Sequence, residues 1–247
     1  MTWVTEQIRN RKRLLIDALD LQPGQHVLDV GCGVGDDVIE MAKRVGSTGG
    51  AVGIDHADAM LDEARNRSEG LDLPVEFLKA AVYDLPFVDG PFDVVRSDRV
   101  FQHLTDPEAA AAEIVRVTKP GGLVSLNDLD GDGAVLDYPD RDLFRRIRHA
   151  VSDNEMTNGF AGRMLYGLLK RQDLDVVHIE PYLVAATDLA LADSFVAVSS
   201  WGDDAHRVGA ISQVEALAWR EQLSKLDVAG QFFGGGLMFH VVERKLA

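Results

Sequence analysis

Three glycines at alternate positions, Gly31, Gly33 and Gly35, follow the apolar run His26 to Val30 and precede Asp36 and Asp37. A strand that ends on such a run, with a helix starting at once, offers backbone N–H groups and removes the Cβ atoms that would hold a flat ligand away. Asp55 closes the next apolar run. A carboxylate there can accept both hydroxyls of an adenosine ribose, or it can cap the helix that follows. Two cofactor classes use a loop of this kind. A dinucleotide requires G-x-G-x-x-G, whose third glycine would fall on Asp36, so that pattern fails. Asp36 and Asp37 also put negative charge where a pyrophosphate would sit. S-adenosylmethionine (SAM) has no phosphate and carries a sulfonium cation, so it tolerates those acids.

A second group of chemically able residues lies at and beyond the end of a fourth apolar run: Arg96, Ser97, Asp98, Arg99, Gln102 and His103. Open α/β sheets hold their ligands at that edge. His103 is the best candidate base by chemistry, because an unperturbed imidazole titrates at about 6.5; the competing reading is a packing element beside Leu104. Arg96, Asp98 and Arg99 can equally pair with one another. Asp128, Asp130 and Asp132 with Gly133 begin like a calcium loop, but Pro139 stands where the closing Glu belongs, so an EF-hand is rejected. A solvated acidic turn or a magnesium site remain as readings of that run. Cys32 is the only cysteine, so no intramolecular disulfide and no thiolate zinc site can form, and no metal is expected. Arg9 and Arg13 share a helix face, and an Arg there can bind the SAM carboxylate. Phe144, Trp201, Phe232 and Phe233, with the Asn158–Arg163 segment, Met164 and Tyr166, are candidates for an apolar acceptor pocket.

These groups must be positioned by the elements between them. Apolar runs at His26–Val30, Ala51–Ile54, Val75–Lys79, Phe92–Arg96 and Leu123–Asn127 read as strands. Asp36–Val45, Ala57–Arg67 and Pro107–Thr118 read as helices, the last ended by Lys119-Pro120-Gly121-Gly122. The alternation implies parallel βαβ units. The later half predicts helices over Tyr138–Glu155, Gly162–Arg171 and Asp188–Leu226, the last broken near Ser199–Asp204 and Gly209. It also predicts strands over Asp175–Val184 and Phe239–Arg244. A basic amphipathic helix over Val4–Leu19 opens the chain. The simplest organisation is one domain over 1–247, with an N-terminal helix or lid at 1–21 and helical additions at 138–172 and 188–230 near the acceptor site.

Five stretches in order carry a resemblance to a known family: VLDVGCGVGDD (27–37), VGIDHADAML (52–61), YDLPF (83–87), FDVVRSDRVFQHL (92–104) and EIVRVTKPGGLVSLND (113–128). The chain resembles the class I SAM-dependent methyltransferases, in particular the small-molecule branch similar to the ubiquinone/menaquinone-biosynthesis enzymes. The resemblance implies an α/β fold: a Rossmann-like, seven-stranded, mostly parallel sheet with its last strand antiparallel, helices on both faces and helical additions after the fifth strand. It implies methyl transfer from SAM to an O, N or C atom of a small organic acceptor. By position, Asp29, Gly31, Cys32 and Gly33 would hold the methionine and ribose end of SAM. Asp55 would bind the ribose hydroxyls, and His56 and Met60 would flank the adenine. Ser97 would face the methionine amino group through its carbonyl. Where the family often has Gly-Asp-Ala, this chain has Ala80-Ala81-Val82, so adenine would rely on backbone near Ala81 and Val82 or on Asp84. The rivals are a SAM-binding enzyme that does not methylate, such as a cyclase on the same scaffold, and an NAD-linked oxidoreductase.

The 247 residues are 46% hydrophobic and 26% charged, which fits a globular chain and excludes disorder over most of its length. With 25 Lys and Arg against 40 Asp and Glu, the net charge of −15 opposes nucleic-acid and anionic-membrane partners. No apolar run approaches the roughly 20 residues of a membrane span, and the first residues lack the apolar core of a signal peptide. The expected setting is the reducing cytoplasm, as a monomer or homodimer.

Overall fold

The computed structural model describes residues 3–246, with side chains from residue 10 onward. The elements are α1 (Trp3–Asp17), β1 (His26–Val30), α2 (Asp36–Val45), β2 (Gly50–Asp55), α3 (Asp58–Ser68), β3 (Val75–Lys79) and β4 (Phe92–Asp98). There follow α4 (Pro107–Val117), β5 (Thr118–Leu136), α5 (Arg141–Asn154), α6 (Ala161–Lys170), β6 (Leu174–Ala186), α7 (Leu189–Val196), α8 (Trp201–Arg207), α9 (Gln213–Val228) and β7 (Gly234–Lys245). The seven strands form one sheet in the order β3-β2-β1-β4-β5-β7-β6, with β7 antiparallel to both neighbours. The architecture is the expected one, and β1, α2 and β3 begin and end where the apolar pattern puts them.

Alternation along the strands divides the core. Leu28, Val30, Val95 and Leu126 pack under α4 and α6, while Val27, Val94 and Val242 pack under α1, α2 and α3. On the second face, the carboxyl-terminal half of the sheet turns polar. Asp29 and Arg96 are opposite each other there, as are Asp98 and Asn127, and Asn127 and His240. Burying such groups is costly unless they are paired, so this polar patch marks the functional end of the sheet.

Three expectations are corrected. The Pro-Gly-Gly turn does not separate α4 from the fifth strand. Thr118 already pairs with Phe92, and Lys119–Gly122 bulge out before Leu123 resumes the ladder opposite Val94. The same strand continues past Asn127 to Leu136, because antiparallel pairing with β7 pulls the Asp128–Asp130 segment into the sheet. The helical break expected near Ser199–Asp204 lies earlier, at Ala197, which adopts a left-handed φ of 48° between α7 and a 3₁₀ turn over Val198–Ser200. The region after β5 holds its own core, built on Tyr138, Ile147, Trp201 and Trp219. No helix among the described residues is long and apolar enough to cross a membrane.

Candidate active site

The three loop glycines perform different tasks. A Cβ on Gly31, at φ +77°, would lie 2.2 Å from Val100 Cγ2, so this glycine lets β1 close against the end of β4. A Cβ on Gly35, at φ +78°, would lie 2.8 Å from both Ala64 and Phe77, so this one seats α2 on α3 and β3. Gly33, at φ +53°, has nothing within 4 Å of its Cβ direction and opens onto a cavity of about 260 Å³. Asp55 braces the loop: Oδ2 accepts from the Gly33 N–H at 2.9 Å and Oδ1 from the Ala57 N–H at 3.0 Å. Asp55 thus holds the loop and the entry to α3 together, although the N-cap position of α3 itself is Ala57.

The cavity is walled by Lys12, Asp29, Gly31, Cys32, Gly33, Val34, Asp36, Asp37, Met60, Asp98 and Arg99. At its base the buried Arg96 guanidinium lies 3.3 Å from Asp29, 2.9 Å from Asp37 and 3.3 Å from Asp98. Lys12 of α1 adds a second cation, 3.0 Å from Asp37. Burial pushes the Asp29 carboxyl up to about 6 despite Arg96, and its Oδ1 has no hydrogen-bond partner. Asp29 lines the cavity while its Oδ1 is shielded from solvent and unpartnered, an unsatisfied acceptor of the kind a bound ammonium meets. Asp37, burial notwithstanding, stays below the usual carboxylate range because Arg96 and Lys12 flank it. The carboxylate acceptors thus suit an ammonium and a sulfonium, and the acids at the start of α2 oppose a pyrophosphate.

The sequence-selected residues divide. Asp29, Gly31, Cys32, Gly33 and Met60 line this cavity. The Cys32 thiol is pushed well above its ordinary pKa by burial and by Asp29 and Asp55, so it is a wall and not a nucleophile. His56 is exposed, with Nδ1 3.4 Å from Asp55 Oδ1. Ala81 and Val82 do not line the cavity; Ala81 pairs with Asp84 in an isolated bridge beside the end of β3. Ser97 is buried with its Oγ donating to the Val30 carbonyl at 3.0 Å. Arg13 is exposed, and the cations of α1 that face the site are its neighbours Arg11 and Lys12. The side chain of Arg9 lies outside the described ones. His103 sits exposed in a 3₁₀ turn and borders neither cavity. Its imidazole is held below its ordinary value by partial burial, Arg99 and His56. Its Nε2 lies 3.1 Å from Nε2 of Gln102, which lines the apolar cavity.

A second, apolar cavity of about 120 Å³ adjoins the first. Its walls come from α1 (Arg11, Lys12, Leu15), β5 (Asn127, Leu129), β6 (Tyr182, Val184), α7 (Ala192, Phe195) and β7 (Gly234–Gly236, Met238), with Trp201 and Phe232. Of the aromatics singled out from sequence, Trp201 and Phe232 are here. Phe144 instead stacks on Trp219 at 6.3 Å inside the helical core, and Phe233 and Tyr166 are exposed. No residue of 138–172 lines this cavity, so of the two helical additions only 188–230 borders it. A polar chain runs along the floor: Tyr182 Oη donates to Asn127 at 2.9 Å, and Asn127 Nδ2 donates to Asp98 at 2.7 Å. Lys12, Asp98 and Arg99 line both cavities. Arg99 takes a left-handed φ of 59°, strain of the kind that persists where surrounding structure fixes a functional turn.

Two of the three acids in the acidic run, Asp128 and Asp130, are buried, and Asp132 is partly exposed. Asp128 is buried and pushed up to about 7 by burial, with the Leu129 and Gln102 N–H groups on its oxygens at 2.8 and 3.3 Å. Asp130 is buried and paired with Arg163, and Asp132 lies 3.4 Å from Arg148 and 3.2 Å from His149.

Residues 21–197 match the methyltransferase domain family. The chain belongs to that family. An uncharacterized 37.1 kDa protein in transposon TN4556 of Streptomyces fradiae is 34% identical over 97% of this chain and 68% of its own length. The demethylmenaquinone methyltransferase of Bacillus cereus is 39% identical over 43% of the chain, and the alignment spans only 45% of that enzyme. Among solved structures, a methyltransferase-like protein of Bacillus halodurans shares the fold of this methyltransferase domain, with a TM-score of 0.67 at 18% identity over 96% of this chain and 99% of the other. The fold and family are those of SAM-dependent methyltransferases.

Proposed function

We propose that this methyltransferase domain transfers the methyl group of SAM to an O, N or C atom of a small, largely apolar acceptor by in-line displacement. The observation that carries this reading is the junction: an acidic cavity and an apolar cavity meet at Lys12, Asp98 and Arg99 and share no other residues. When bound, SAM supplies an electrophilic methyl on a sulfonium, and the electron pair of the broken C–S bond neutralises that sulfur. Asp29 Oδ1 receives the ammonium of the methionine end. Gly33 and Asp55 receive the ribose, and Met60 packs by the base. Tyr182, Phe195 and Trp201 hold the acceptor and exclude water. Asp98 lies on the line between the two cavities, fixed by Arg96 and Asn127, and takes the proton that an O–H or N–H acceptor releases as it gains the methyl group. Positioning of this kind accounts for about 7–11 kcal/mol of barrier in favourable cases. The single cysteine supports action in a reducing compartment, the cytoplasm.

The test is a screen of phenolic, enolic and amine acceptors with methyl-labelled SAM, repeated with Asp98→Asn. Label should pass to an apolar acceptor. The substitution should lower kcat by about 10²–10⁴-fold while S-adenosylhomocysteine (SAH) affinity stays within a few-fold. Acceptor conversion without SAH release would replace this reading with a non-methylating enzyme that uses SAM as a fixed cofactor.

A further inference from the structure

β6 and β7 bring together three metal-ligating side chains, two from β6 and one from the distant β7. Glu180 stands directly opposite His240 across the antiparallel ladder, and a register shift between Val176 and His178 sets His178 opposite Val242. Residues two apart on a strand share a face with their cross-strand partners, so His178, Glu180 and His240 project from the same side of the sheet. One ligand atom from each lies within 4.8 Å of the others. His178 Nε2 and Glu180 Oε2 are 3.5 Å apart, close to the roughly 3.3 Å that separates two ligands of a tetrahedral zinc with bonds of about 2.0–2.1 Å.

His240 is the decisive member. It is buried, its Nε2 is 2.9 Å from Ser125 Oγ, and its Nδ1 has no hydrogen-bond partner. With the proton on Nε2 and donated to Ser125, Nδ1 presents a bare lone pair. Metal-binding imidazoles are held in this way, one nitrogen oriented by an outer hydrogen bond and the other on the metal. Two imidazoles and one carboxylate suit zinc and its transition-metal neighbours better than magnesium or calcium, which prefer all-oxygen sets.

Glu180 has a second claimant. Its Oε2 lies 2.9 Å from Arg11 Nη2, and the Arg11 guanidinium rests 3.6 Å from the centre of the Tyr182 ring; Arg11 and Tyr182 both line the apolar cavity. We propose that His178, Glu180 and His240 form a binding site for a zinc-type dication, and that metal and Arg11 compete for Glu180, so that occupancy of the site releases a cation at the mouth of the acceptor cavity.

The experiment is titration of the metal-stripped full chain with Zn²⁺ against a chromogenic chelator, with Co²⁺ absorption as the spectroscopic check. One equivalent should bind. His178→Ala, at a half-exposed position that folding tolerates, should weaken binding by about tenfold or more, and Ser125→Ala by about tenfold through the outer hydrogen bond. Arg11→Gln should tighten binding several-fold by freeing Glu180. SAH affinity and circular dichroism report whether each variant is folded. Absence of stoichiometric binding, or an affinity that His178→Ala leaves unchanged, overturns the site. An affinity unchanged by Arg11→Gln overturns the competition.

Discussion

The two cavities differ in how they are built. The acidic one draws most of its wall from residues 29–60, where one glycine loop and the start of one helix supply backbone and carboxylates together. The apolar one takes its wall from α1, β5, β6, α7 and β7, elements separated by most of the chain. One is made by a local turn whose geometry the sequence dictates, the other by topology, above all by the insertion of β7 between β5 and β6. A site of the first kind recognises a fixed ligand with fixed charges. A site of the second kind changes its ligand when a few side chains change, since apolar contacts carry little angular demand.

The sharpest test of this division is Gly33→Val. Only Gly33 of the three loop glycines faces open space, so a valine there, which also resists the φ of +53°, should fill the ligand volume, strain the loop and weaken SAH by more than about 100-fold, while circular dichroism reports a folded chain. Gly35→Ala, by contrast, should lower the melting temperature, because its Cβ meets Phe77. If the Gly33 variant binds SAH within a few-fold of wild type, the acidic cavity is not the cofactor site.

Phe195→Ala addresses the other cavity. Loss of an apolar wall should raise acceptor KM by about ten- to a hundredfold, the scale of 1–3 kcal/mol, and leave SAH affinity within twofold. An equal loss in both would mean that the cavities are not separate compartments.

The pH dependence of SAH binding separates them further. Asp29 titrates at about 6 and is protonated below that value. The ammonium of SAH favours the ionised form, so affinity should be full above pH 7 and weaken by about tenfold by pH 5, one unit below the carboxyl's pKa. Calorimetry at the two pH values checks this, and a pH-independent affinity would remove Asp29 from the contact.

The smallest effect belongs to His103→Ala. The side chain is exposed and outside both cavities, so kcat and melting temperature should each stay close to wild type. A hundredfold loss of kcat would restore His103 as the base and displace Asp98.

What was legible in the sequence follows the same division. The Gly31–Asp37 loop, Asp29, Asp55 and the parallel βαβ order were readable because each depends on neighbours a few residues away. The i, i+4 spacing of Arg9 and Arg13 shows that they share a face but not which way it turns; the burial of Leu15 and Ile16 sets Lys12 and Arg11 inward. His103 was chosen for its chemistry, but chemistry without a cavity is not a site. Asn127 and Tyr182 become partners only through the β5–β7–β6 register, and His240 meets Glu180 only across the β6–β7 ladder. Trp201 and Phe232 were legible as pocket aromatics, and the Gly234–Gly236 run that opens β7 was a further signal for the second cavity, since consecutive glycines leave the backbone itself as a wall. The Asp128–Asp132 run misled, because the extension of β5 buries Asp128 and Asp130, the latter against Arg163.

The central claim is that SAM and acceptor occupy separate cavities that meet at Asp98. A crystal structure of the ternary complex with SAH and an acceptor found in the label-transfer screen tests it most directly. The account predicts the SAH sulfur in the Gly33 cavity and the acceptor in the Trp201 cavity. The accepting atom should point at that sulfur beside Asp98 and lie about 3–3.5 Å from the position of the missing methyl group. An acceptor bound away from Lys12, Asp98 and Arg99, or SAH lying in the apolar cavity, would contradict it.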